Sequence, residues 1–100
     1  WAAYIEVDSA YDWNPTTLVK GIARENILGI EAPLWTETIS NMDEIEYMIF
    51  PRIMGIAEIA WSPEVGRSWE EYKVRLGNHA PRLKALKIDY YKSSKVPWTE

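Results

Sequence analysis

The chain has 100 residues, 47% hydrophobic and 26% charged, with a net charge of -4. That is at most one small globular domain, with a core too limited to be more than marginally stable by itself. The acidic balance argues against nucleic acid or an anionic membrane surface as a partner, and no apolar run approaches the ~20 residues of a membrane span. With no cysteine and a single histidine, His79, the chain offers no disulfide, thiolate metal site or histidine metal cluster, and no cofactor is implied. It begins at Trp1 and not at methionine, and it is expected to be a fragment. Six tryptophans and six tyrosines stand against one phenylalanine, an excess of aromatic faces that carry a polar handle.

Residues 1–26 form the segment before the main strand. Tyr4, Val7, Ala10 and Tyr11 share helical spacing while Ile5 and Val7 share strand spacing, which predicts a short helix or irregular element closed by a turn at Asn14-Pro15. Thr16 to Asn26 reads as a loop with one helical turn at Leu18 to Ile22, limited by Gly21. Ile27 to Trp35 is the best strand, because "ILGI" is apolar and has no helical period. Pro33 weakens ladder pairing near its end, and the site-bearing stretch runs to residue 37.

Residues 40–61 form a helical layer. Ser40 and Asn41 are candidate N-caps, and Asp43, Glu44 and Glu46 complement the helix dipole. Ile45, Met48, Ile49, Ile53, Ile56, Ala57 and Ala60 recur at three and four, with a break or kink at Pro51 and a stop at Ser62-Pro63. A C-terminal helix over 68–87 begins at a capping box, Ser68-x-x-Glu71. Its apolar stripe is Trp69, Tyr72, Leu76, Ala80, Leu83 and Leu86, again with a kink or break at Pro81. Residues 88–100 are a tail in which "KIDYYK" suggests a short closing strand.

One strand cannot make a sheet. A near-continuous apolar strand followed by an amphipathic helix is the repeating unit of a parallel fold. The expected class is α/β: the last βα unit, plus a C-terminal helix, of a larger (β/α)8 TIM barrel.

In a regular strand Glu31, Pro33, Trp35 and Glu37 point to one side, and the carboxyl end of a barrel strand faces the active site. A tryptophan there offers a flat wall for the C–H face of a pyranose, and a carboxylate accepts from its hydroxyls. Spacing alone leaves the alternative of a rim tryptophan and a helix-capping acid. Glu31 lies deeper and is expected to pair with a buried arginine, since a lone buried carboxylate is costly. Arg52 and Glu58 read as structural ion-pairing groups. Asp8, Asp12 and Asp43 read as caps or solvated charges, His79 as a helix-surface residue, and Trp61, Trp69 and Tyr72 as helix-packing aromatics. Neither a nucleophile triad nor a phosphate loop is present.

"GIEAPLWTETIS", "DEIEYMIFPRIMGIAEIAWSP" and "SWEEYKVRL" resemble the C-terminal end of family 20 glycoside hydrolases, the β-N-acetylhexosaminidases. "YIEVDSAYDWNP" is similar to the segment before their last barrel strand, so the resemblance covers nearly the whole chain. It implies that Ile27 to Trp35 is the eighth strand of the barrel. Trp35 would line the pocket of the terminal N-acetylhexosamine, Glu37 would bind hydroxyls of that sugar, and Trp1 would lie near the leaving-group subsite. The implied reaction is substrate-assisted and retaining, with the acetamido oxygen as nucleophile and an Asp-Glu pair supplying orientation and the proton. No adjacent Asp-Glu here has that context, so no catalytic residue is assigned in this chain and the chain alone is expected to be inactive. Its partners would be N-acetylhexosamine-containing glycans and the rest of the barrel. The open alternative is a small tryptophan-rich, non-catalytic carbohydrate-binding or interaction module.

Overall fold

The computed structural model describes residues 5–36 and 38–99. Five helices follow in chain order: α1 (Val7–Tyr11), α2 (Met42–Ile49), α3 (Arg52–Trp61), α4 (Trp69–Gly77) and α5 (Ala80–Ala85), with a 3-10 turn at Arg24–Asn26. The helical turn expected at Leu18 to Ile22 therefore forms slightly later, over Arg24–Asn26.

The helical layer over 40–61 is two helices. Pro51 lacks the donor that would continue α2, and Phe50 turns extended (φ -99, ψ 135) before α3 starts. Asn41 caps α2 by accepting from the Glu44 amide at 2.9 Å, and the Glu44 carboxylate accepts from the Ser40 amide at 2.8 Å. The expected capping box at Ser68 does not form: Ser68 is the N-cap of α4, but its hydroxyl makes no capping bond. The C-terminal helix also divides, with Pro81 in the first turn of α5, where a missing N–H costs nothing.

The core joins α1 to the C-terminal half. Val7 and Tyr11 of α1 meet Ile59 of α3, Tyr72 and Leu76 of α4, and Val96 near the C-terminus, all buried. The Tyr11 and Tyr72 rings stack at 4.2 Å and 9°. The close crossing of α1 and α3 needs Gly55, where an added Cβ would sit 3.3 Å from the Tyr11 Cβ. In the predicted stripe of the last helices Tyr72, Leu76, Ala80 and Leu83 are buried, whereas Leu86 is exposed. Trp69 is half-buried against Tyr11 and Tyr72. Trp61 is 92% exposed and packs against no core helix.

Two strand expectations are not met among the described residues. Residues 27–36 and 88–93 form no ladder. The first has the composition of a buried strand yet leaves Leu28 fully exposed. Strand hydrogen bonds need a second strand, and none is present among the described residues. The second is a strap: residues 88–99 run back across the helices. Tyr91 N–H donates to the Phe50 carbonyl at 2.9 Å, and Thr99 donates through N–H (3.2 Å) and hydroxyl (3.1 Å) to the Gly77 carbonyl. An added Cβ on Gly77 would lie 2.2 Å from the Pro97 carbonyl oxygen, so only glycine lets the strap lie there.

Candidate functional site

Residues 31–36 leave the would-be strand without regular structure and lie over α2 and α3. Trp35 is 67% exposed. It lines a cleft of about 730 Å3 shared with Ile5, Trp13, Leu34, Ile49 and Ile53. The lining is mostly apolar; its polar members are Ser9, Glu31, Thr38 and Arg52. Among the described residues Glu31 is the one carboxylate in that lining. No group of three metal-ligating side chains exists among the described residues. Two of the predicted binding residues, Trp1 and Glu37, lie outside the described residues.

Glu31 is not the deep, paired acid expected. It is exposed at the cleft and forms no ion pair among the described residues. Among the described residues no second strand lies beside residues 27–36 to cover it. Arg52 likewise forms no ion pair. Its guanidinium donates to three backbone carbonyls, those of Ile5 (2.6 Å), Tyr47 (2.9 Å) and Met48 (3.0 Å), and stacks over the Tyr91 ring at 4.7 Å. It satisfies the last carbonyls of α2, which the break at Pro51 leaves without partners.

Glu58 does pair, with Arg75 at 2.7 Å and with the Ser62 hydroxyl, and Arg75 holds its carboxyl below the usual range. Asp43 and Glu44 sit in the first turn of α2, as helix-start acids, with Glu44 engaged at Ser40. His79 is half-buried beside Arg82, with Nδ1 3.2 Å from the Arg82 Nη1, and burial depresses its pKa.

A second polar cluster was not foreseen. Glu6 accepts from the Tyr91 hydroxyl and from the Ser93 hydroxyl (2.6 Å), and Asp8 accepts from Lys95 at 2.9 Å. The Ser93 and Tyr91 hydroxyls hold the Glu6 carboxyl below its ordinary value, and Lys95 does the same for Asp8. The partners are more than eighty positions apart, so no local pattern links them.

This geometry matches known proteins closely. Residues 1–64 match the family model described as "Glycosyl hydrolase family 20, catalytic domain". The chain belongs to glycosyl hydrolase family 20. This family 20 chain is 38% identical over 98 residues to a Cellulomonas fimi β-N-acetylhexosaminidase. It covers 98% of its own length and 20% of that relative. Over 99% of the chain it superposes on the family 20 β-N-acetylhexosaminidase of Streptomyces coelicolor A3(2), with TM-score 0.92 and 50% identity. A mutant Streptomyces plicatus β-hexosaminidase in complex with its product GlcNAc matches at TM-score 0.92 and 49% identity. In each structure the matched part is 20% of the chain. The chain thus spans about a fifth of the length of these relatives.

Proposed function

We propose that this chain is the last βα unit and C-terminal helical layer of the (β/α)8 barrel of a β-N-acetylhexosaminidase. The parent enzyme removes terminal non-reducing GlcNAc or GalNAc residues by retaining hydrolysis, in which the substrate's own acetamido oxygen attacks the anomeric carbon. The observation that carries the reading is the match over 99% of the chain at 50% identity and TM-score 0.92 to an enzyme of that activity. In this reading residues 27–36 gain their ladder from neighbouring barrel strands, and their apolar lining is buried there.

Trp35 supplies an aromatic face for the C–H side of the sugar, and Glu37 accepts hydrogen bonds from its hydroxyls. Trp1 stands near the leaving-group subsite. The acid that protonates the leaving oxygen belongs to a part of the enzyme other than this chain, so the 100 residues alone are inactive. In the parent enzyme, Glu37→Gln lowers kcat/KM on a chromogenic N-acetylglucosaminide by the equivalent of about 1–3 kcal/mol, as for other hydrogen bonds to a charged group. Trp35→Ala lowers it as well. Unchanged kinetics in both variants would refute the binding assignment.

A further inference from the structure

Trp35 sits on a stretch that no ladder holds among the described residues. Upstream, Ile30 packs against the core. Downstream, three hydrogen bonds tie the chain into α2. The Ile39 amide donates to the Thr36 carbonyl at 3.1 Å, which closes a tight turn directly after the tryptophan. The Ser40 amide donates to the Glu44 carboxylate at 2.8 Å, and the Glu44 amide donates to the Asn41 side-chain oxygen at 2.9 Å. In an ordinary capping box the acid reaches back to the amide of the cap residue itself. Here Glu44 takes the amide one residue earlier, so its grip falls on the loop rather than on the helix. Thr38 and Ile39 of that loop line the same cleft as Trp35, together with Met48 and Ile49 of α2.

The post for this grip is α2, and the core does not fix it, because none of its residues is buried. Polar ties further along the helix hold it instead. Glu46 Oε1 accepts from the Asp89 amide at 2.8 Å, and the Phe50 carbonyl accepts from the Tyr91 amide at 2.9 Å. The Tyr47 and Tyr91 rings meet edge-on at 5.4 Å, and Arg52 donates to the Tyr47 and Met48 carbonyls. Directional bonds of this kind fix register where apolar contact alone permits sliding. We propose that Asn41 and Glu44 are positioning residues for the aromatic wall. They fix the loop that leaves Trp35 and so set the distance and tilt of the indole over the cleft. The proposal rests on the reading of Trp35 as substrate-contacting, and both residues act on the sugar only through Trp35.

The test is a double-mutant cycle in the full-length parent enzyme, read as kcat/KM on an aryl N-acetylglucosaminide. Asn41→Ala with Glu44→Ala removes both acceptors. The pair is expected to lower kcat/KM about three- to tenfold, because a small displacement of a binding wall weakens its contacts with the substrate. In a Trp35→Ala background the same pair is expected to change kcat/KM by less than about twofold, since the wall through which it acts is gone. Asn41→Ser keeps an acceptor at the cap and is expected to hold activity within about twofold, where Asn41→Ala alone does not. Glu44→Ala alone leaves the cap in place and frees only the Ser40 amide, and it carries the same cycle if the pair does not fold. A lowered Tm with kcat/KM unchanged, or losses that simply add to that of Trp35→Ala, means a structural role only and overturns the proposal. If Trp35→Ala itself leaves kcat/KM unchanged, the site reading fails and the proposal with it. If Trp35→Ala lowers kcat/KM and the variants at 41 and 44 do not, the site reading stands and the positioning role is lost.

Discussion

Lys87 has φ 58, the left-handed conformation, and it ends α5 with a paired cap. Its amide donates to the Lys84 carbonyl, and the Ile88 amide to the Leu83 carbonyl, both at 3.0 Å. A side chain at that position is strained by about 1 kcal/mol. Lys87→Gly is therefore expected to raise the stability of the parent enzyme's C-terminal region by up to about 1 kcal/mol, read as an upward shift in Tm. Tyr72 gives a second residue-scale expectation. Its hydroxyl is buried without a partner among the described residues, and burial raises its pKa. Tyr72→Phe keeps the stack on Tyr11 and removes an unsatisfied group, so Tm should hold or rise; a loss above about 1 kcal/mol would reveal a partner for that hydroxyl. Trp35 stands at the end of an apolar run and lines the cleft. Glu31 is exposed here because a buried partner presupposes strands on both sides of it, and the described residues supply none. Arg52 was recognised as structural, but its carbonyl partners depend on where α2 breaks, and charge pattern does not report that.

Among the elements, the helices were legible and the strands were not. Periodicity and proline position are local, so 40–61 and 68–87 could be read as helical with breaks at Pro51 and Pro81. A strand is a pairing between segments, and the sequence of one segment does not supply its neighbour. The strap was taken for a tail because its grip uses partners distributed over the whole chain: Glu6, Asp8, Glu46, Phe50 and Gly77. Gly77→Ala would drive a methyl into the Pro97 carbonyl and is expected to cost at least about 2 kcal/mol, measurable by denaturation of the parent enzyme. The carboxylates that the strap grips also give a pH dependence. Glu6 and Asp8 have folded-state pKa values below their unfolded ones, so their contribution is present above the unfolded values of about 4 and is lost as pH falls through the lower folded ones. Melting of the enzyme between about pH 5 and pH 2 should therefore decline less steeply in Glu6→Gln than in the unmodified protein.

At the scale of the whole chain, the surface is 7373 Å2, against about 5,800 Å2 expected for a self-contained domain of this mass. The radius of gyration is 14.5 Å, against about 13 Å for 100 residues. The excess includes large apolar groups left uncovered: Leu28 at 101%, Trp61 at 92% and Val65 at 91%. Such a surface fits a part of a larger barrel better than a free-standing binding module. The 100 residues expressed alone are expected to bind a hydrophobic dye and to aggregate. A sharp cooperative melt with sugar-dependent tryptophan fluorescence would favour the module instead.

The strap has a consequence for the order of assembly. The bond from Ser93 to Glu6 spans 87 positions, so it closes nearly the longest loop available in these residues. On the ribosome, α1 emerges first and the groups that fix it emerge almost last. The hold of the strap on Glu6 and Asp8 is therefore made only after α2 through α5 have been synthesised. Contacts of such high sequence separation form late and slowly, and the seating of α1 against the strap is completed at the end of folding.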